Sequence, residues 1–312
     1  DLSPLLTDSV EGFIEISKQL KSDFAKFGFA YLANHGVENS LIETIFKEAE
    51  RFHSLPIEEK LKIKHNDSYR GYMPSKSSRT IVSTEGVANK PNTVDSFVMM
   101  FEAEQNSYEY QNSLYMHGPN QWPNNLPNFR ENMCTYRDAM LNLSYKLLRA
   151  FSLAFNTNHE EFESLFNNPT YFLRLQHYEP QDIDNIGQFG FAPHTDAGFI
   201  TILAQDDVGG LEARIDDIGW VEIPPIPDTL VLNAGVLMPI FTGSKFRAIP
   251  HMVKNITNKH RYSVPFFFDP NMNATINAVG NYKTTDMSNA ILYKEHIMNR
   301  VQGNYGVGKR NH

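Results

Sequence analysis

Between residues 171 and 268 the chain breaks into short runs rich in β-branched and aromatic residues, at 171–178, 199–204, 211–215, 220–223, 229–233, 246–249 and 262–268. Turn-forming pairs separate them, among them Gly209-Gly210, Asp216-Asp217 and Gly243-Ser244. So many short strands at this spacing predict a sandwich or jelly roll rather than a doubly wound sheet. The fold class expected is mainly β with flanking helices.

The flanks read as helical. Phe13, Ile16, Leu20, Phe24 and Phe27 recur at three- and four-residue steps, as a core-facing stripe does. Gly28 stops that pattern, and residues 29–32 suit a buried strand. A second helix carries Leu41, Ile45, Ala49 and Phe52, and Pro56 starts a third. Residues 65–92 show no periodicity and are rich in Ser, Gly and Pro, which suits a lid or binding loop. The longest helix is expected from about 127 to 155, with Met133, Tyr136, Met140, Leu143, Leu147 and Phe151 on one face as a scaffold stripe. A last helix is expected over about 286–301, with Asp286 as its N-cap. The opening residues read as the end of a strand, and because they start at Asp1 rather than Met, further N-terminal sequence is expected. The whole, 1–312, is expected to be one catalytic unit. It divides into an N-terminal region (1–125) with the lid-like loop, scaffold helices (126–170), the β core (171–280), and a C-terminal helix and tail (281–312).

Composition narrows the function. The acidic side chains number 36 against 28 basic ones, giving a net charge of −8, and no basic stripe exists to follow a phosphate backbone. Neither a nucleic acid nor a membrane is expected as partner; a small molecule is. Cys134 is the single cysteine, which excludes an intramolecular disulfide and a cysteine-based zinc site and fits a reducing, cytoplasmic compartment; a monomer is expected.

The chemistry concentrates in Phe191-Ala-Pro-His194-Thr-Asp196-Ala-Gly198. Residues two apart on a strand share a face, so His194 and Asp196 can reach one ion. A second imidazole, His251 in Phe246-Arg-Ala-Ile-Pro-His251, completes the two-histidine, one-carboxylate set of a non-haem Fe(II) centre, which leaves positions open for dioxygen and an organic ligand. A bare His-x-Asp by itself reads as a surface pair. Ten residues past His251, Arg261-Tyr262-Ser263 is another same-face pair, suited to a carboxylate that Arg grips bidentately while Ser adds a hydrogen bond.

Taken in order, these residues resemble the 2-oxoglutarate-dependent Fe(II) oxygenases related to isopenicillin N synthase. The resemblance covers nearly the whole chain, including Phe27-Gly-Phe-Ala-Tyr-Leu-Ala-Asn-His35-Gly, Arg70-Gly-Tyr72, Gln205-Asp-Asp-Val-Gly-Gly-Leu211, Asn233-Ala-Gly235 and Arg261-Tyr-Ser-Val-Pro-Phe266. It implies a double-stranded β-helix, a jelly-roll core, with His194, Asp196 and His251 on the iron. Arg261, Ser263 and Tyr178 would hold the distal carboxylate of 2-oxoglutarate, with Gln176 beside them. Dioxygen and 2-oxoglutarate would be consumed, succinate and carbon dioxide released, and a small molecule of secondary metabolism hydroxylated or otherwise oxidised, by desaturation or ring closure for example. Gln176 departs from the family's usual Asn, Met252 from a common Arg, and Ala248-Ile249 from Ser-Thr. The loop's Arg70, with Phe191, Phe268 and Asp269, would line the substrate pocket; the loop's Arg and Lys residues suit an anionic substrate or simply a solvated loop, and aromatic walls suit a flat or apolar molecule equally well. Two alternatives stand beside this: an oxidase that binds its substrate's carboxylate at Arg261 without 2-oxoglutarate, and a catalytically silent binding protein on the same scaffold.

Overall fold

The computed structural model describes residues 1–80, 88–112, 116–181, 187–284 and 290–305. The N-terminal region holds α1 (Ser3–Leu6), α2 (Val10–Lys26), β1 (Phe29–Ala33), α3 (Asn39–His53), α4 (Ile57–Leu61), β2 (Gly71–Met73), β3 (Asp95–Met100) and α5 (Tyr108–Gln111). The scaffold helices are α6 (Phe129–Phe155) and α7 (His159–Ser164). The strands that follow are β4 (Thr170–Tyr178), β5 (Phe191–His194), β6 (Ile200–Gln205), β7 (Leu211–Ile215), β8 (Gly219–Glu222) and β9 (Thr229–Ala234). After α8 (Leu237–Phe241) come β10 (His251–Val253), β11 (Arg261–Asp269), β12 (Thr275–Ile276), β13 (Ile291–Leu292) and α9 (Tyr293–Tyr305).

Two antiparallel sheets make the core. The larger runs β1-β9-β6-β11-β4-β3-β2, and the smaller runs β5-β10-β7-β8. Side chains of both sheets meet in one apolar cluster that includes Tyr178, Leu203, Leu211 and Val253, as the two layers of a jelly roll do. The outer face of the large sheet is covered by α2, α3 and α6, whose buried stripes form the main aromatic core. Covering on both faces explains why all nine residues of β4 are buried and why its sequence shows no polar–apolar alternation. The N-terminal region supplies β1 at one edge of the large sheet and β2–β3 at the other.

Several expectations change at this point. The opening residues form a short helix, α1, with Pro4 in its first turn, not a strand. The run 246–249 is not a strand: Phe246 N donates to Thr242 Oγ1 and Arg247 N to Phe24 O, which ties the segment to helices, and pairing begins only at His251, after Pro250. The loop 65–92 contains β2, and its described remainder folds back on itself through bonds such as Asn92 N to Ser78 O. Asp286 lies outside the described residues; the C-terminal helix begins at Tyr293. Among the described residues no helix is long and apolar enough to cross a membrane.

Candidate functional site

His194 ends β5, and His251 begins β10 directly opposite it. Asp196 does not share the strand, as the spacing predicts, but sits just past its end, on the segment leading to β6. Backbone bonds hold that segment in place, with Gly235 N donating to Phe199 O, Val236 N to Asp196 O and Leu237 N to Gly198 O. Two glycines permit the approach: a Cβ at Gly235 would strike the Gly198 backbone, and one at Gly198 would strike the Asp269 carboxylate.

The three candidate ligand atoms converge. His194 Nε2 and His251 Nε2 each lie 3.6 Å from Asp196 Oδ1. Each imidazole turns its other nitrogen to a carbonyl, Nδ1 of His194 to Ala192 O at 2.9 Å and Nδ1 of His251 to Ile249 O at 3.3 Å. A carbonyl can only accept, so those nitrogens carry the protons and both Nε2 lone pairs face the centre. Asp196 Oδ2 accepts from Thr201 Oγ1 at 2.6 Å and from Asn233 Nδ2 at 2.7 Å, which leaves Oδ1 for a metal. Burial alone would raise the Asp196 pKa, but His251, His194 and the Thr201 hydroxyl outweigh it and hold the carboxyl well below its ordinary value. Burial lowers His251 to about 4, keeping it neutral and able to ligate. Two imidazoles and a carboxylate, with one side facing an open cavity, fit Fe(II).

Sequence reasoning passed over Thr201 and gave Asn233 no role. They are paired residues of β6 and β9, and the available signal was a polar side chain inside each apolar strand.

The cavity extends from this centre along the large sheet. Arg261 pairs with Tyr178 and Ser263 with Gln176 across β11 and β4, and all four line it. The Tyr178 hydroxyl donates to Gln176 Oε1 at 2.9 Å and the Ser263 hydroxyl to the same oxygen at 3.1 Å, so the longer amide at 176 joins both hydroxyls. Arg261 Nε donates to Gly209 O and Nη2 to Gln205 Oε1, and its guanidinium lies over the Tyr178 ring at 4.8 Å. Its Nη1 is buried and has no acceptor among the described residues. An unmatched guanidinium N–H of this kind costs about 1–3 kcal/mol, which a ligand carboxylate would recover.

Of the residues expected at the substrate, Phe191 and Asp269 line the cavity. Phe268 does not: strand parity turns it to the helix side, stacked on Phe166 at 5.2 Å, and Phe267 faces the cavity instead. Arg70 is fully buried elsewhere, its guanidinium donating to the carbonyls of Ser68, Met116 and Phe101. A second His-Asp-His group, His53, Asp95 and His177, lies outside this cavity lining.

The sequence model of the 2OG-Fe(II) oxygenase superfamily matches residues 169–270, and that of the non-haem dioxygenase in morphine synthesis N-terminal region matches residues 1–125. Homoarginine-6-hydroxylase 2-ODD-C23 of Glycine max is 30% identical over 98% of this chain and 96% of its own length. The chain belongs to the 2-oxoglutarate- and Fe(II)-dependent oxygenases.

This oxygenase is also similar to the 2-oxoglutarate-dependent dioxygenase tropC of Talaromyces stipitatus, 33% identical over 86% of this chain and 84% of that one. The crystal structure of full-length Neurospora crassa T7H in complex with alpha-KG shares the fold, with a TM-score of 0.83 at 24% identity, covering 96% of this chain and 94% of that one. The protein is therefore an oxidoreductase that uses Fe(II), 2-oxoglutarate and dioxygen, on a jelly-roll fold.

Proposed function

We propose that His194, Asp196 and His251 hold the iron, that Arg261 with Ser263 and Tyr178 holds the distal carboxylate of 2-oxoglutarate, and that the enzyme hydroxylates a small organic molecule. The observation that carries the co-substrate assignment is the buried Nη1 of Arg261, a charged donor at the cavity wall with no protein acceptor among the described residues. A carboxylate there accepts from the guanidinium, and the Ser263 and Tyr178 hydroxyls can each rotate from Gln176 to the ligand. When bound, Fe(II) supplies the redox chemistry that couples decarboxylation of 2-oxoglutarate to oxidation of the second substrate.

The chain's own residues bind, orient and exclude water. Thr201 and Asn233 fix the Asp196 carboxylate, while Phe191, at 4.2 Å between ring centroids, packs against the His194 imidazole and shields it. The apolar walls keep solvent from the reacting carbon. The relatives named homoarginine-6-hydroxylases support hydroxylation as the reaction type. The cavity lining runs from Phe29 on β1 to Val301 on α9, which supports a single catalytic unit.

The test is to follow oxygen uptake and succinate formation with purified, iron-loaded protein, with and without 2-oxoglutarate. Succinate formation that depends on 2-oxoglutarate is expected. Full turnover of an organic substrate in its strict absence would replace this reading with that of an oxidase.

A further inference from the structure

We propose that Gln205 is a positioning residue for the co-substrate: its amide oxygen holds one nitrogen of the Arg261 guanidinium, so that Nη1 stays aimed at the ligand carboxylate. This rests on the assignment of Arg261 to the distal carboxylate of 2-oxoglutarate, and adds the side chain that sets the direction of that contact.

Strand register puts Gln205 in place. It ends β6 directly across from Ser263 on β11. Thr201 and Leu203, four and two residues before it, line the cavity, so Gln205 continues the same face. Its amide faces one way: Oε1 accepts from Arg261 Nη2 at 3.2 Å, and Nε2 donates to the Ile223 carbonyl at 3.3 Å. Turned over, it would set donor against donor and oxygen against oxygen. Ile223 follows β8, and its N–H donates to Leu211 O of β7 at 2.8 Å. The amide therefore ties the arginine of the large sheet to the small sheet.

The second anchor is backbone. Arg261 Nε donates to Gly209 O, and the turn carrying that carbonyl is braced by Asp206, which accepts from Tyr262 N and, at 3.1 Å, from Val208 N. Gly210 lets this turn lie against the end of β10, since a Cβ there would strike the Lys254 carbonyl. A guanidinium is planar and rigid, so holding two of its nitrogens fixes the direction of the third. That third nitrogen, Nη1, is buried with no acceptor among the described residues. Both anchors are uncharged oxygens. They orient the group without pairing its charge, whereas a carboxylate at position 205 would take the same proton and compete with the ligand.

The test is anaerobic calorimetric titration of 2-oxoglutarate into the Fe(II)-loaded protein, with melting temperature and iron per chain recorded for each variant. Gln205→Met keeps the length and loses the acceptor, and should weaken 2-oxoglutarate about tenfold or more. Gln205→Glu should weaken it further, with iron per chain as in the wild type. In an Arg261→Ala background Gln205→Met should add nothing, because the side chain acts through that guanidinium. Where binding is too weak for calorimetry, the 2-oxoglutarate dependence of succinate formation gives the same comparison. Unchanged affinity in Gln205→Met, wild-type affinity or better in Gln205→Glu, or an equal further loss in the absence of Arg261 would overturn the proposal. If Gln205→Met lowers the melting temperature, the comparison in the Arg261→Ala background decides, since a merely structural side chain weakens binding in both. Failure of the underlying reading shows separately, as unchanged 2-oxoglutarate affinity in Arg261→Ala alone.

Discussion

His194 and His251 stand opposite one another as paired residues of β5 and β10, with ring centroids 4.4 Å apart. The antiparallel ladder therefore sets the spacing of the two imidazoles, and Thr201 with Asn233 sets the carboxylate between them.

From that arrangement, Asp196→Ala should abolish iron binding and turnover. Thr201→Val keeps the ligands but removes one of the two hydrogen bonds to Asp196 Oδ2, and should weaken Fe(II) binding about 10- to 100-fold. Iron titration alongside circular dichroism measures both. Full iron affinity in Asp196→Ala with an intact spectrum would remove the triad assignment.

Arg261→Ala should raise the apparent Michaelis constant for 2-oxoglutarate steeply. Truncating one partner of a buried charge pair costs about 2–5 kcal/mol, or roughly 30- to several-thousand-fold. Iron binding should survive, since Arg261 is not a ligand. Arg261→Lys should recover only part, because an ammonium cannot reproduce the two-pronged grip. An unchanged constant would point the clamp elsewhere.

Much of this site could be read from the sequence because its chemistry is local. Arg261 and Ser263 are two residues apart on β11, where strand parity makes the pair legible, while His194 and Asp196 are legible from closeness in sequence although Asp196 lies past the end of β5. The same parity, applied from Arg261 onward, would have chosen Phe267 over Phe268. What escaped was long-range. β3, buried along all six residues, lies at the join of the loop and the scaffold helices, and nothing local marks it as the neighbour of β4. Arg70 looked like a loop cation, yet it is consumed by three backbone carbonyls that only the folded chain brings together. Arg174 and Arg300, 126 positions apart, line one cavity only because α9 adds a wall to it.

Asp269 should leave a signature in the pH dependence of stability. Burial raises its carboxyl to about 7, against which the Tyr293 and Phe199 bonds work only in part. The folded pKa lies above the unfolded one, so the native state binds the extra proton. The associated stability is full below about pH 4 and is lost as pH rises through about 7. Asp269→Asn cannot ionise and should flatten that portion of the curve. Urea unfolding of both proteins between pH 4 and 8 measures it, and parallel curves would remove the assignment.

Asp95 should show the opposite sign. It sits on β3 and is 6% exposed, accepting from His53 Nδ1 at 3.1 Å, His177 Nδ1 at 2.8 Å and Tyr72 Oη at 3.1 Å, with Lys60 Nζ 3.8 Å away. Burial alone would raise its pKa, but the two histidines overcome that and hold the carboxyl far below its ordinary value. Its stabilisation is therefore present above about pH 4 and lost as pH falls below it. The cluster joins α3, α4, β2, β3 and β4, and the Lys60 ammonium already supplies the cation that a metal would otherwise bring. Asp95→Asn at neutral pH leaves that ammonium without its carboxylate and should cost about 3–5 kcal/mol. The gap to the wild type should narrow on acidification, while iron bound per chain stays the same. Urea unfolding at pH 7 and pH 4 with iron analysis tests this; a loss under about 1 kcal/mol, or a fall in bound iron with the fold intact, would refute a purely structural role.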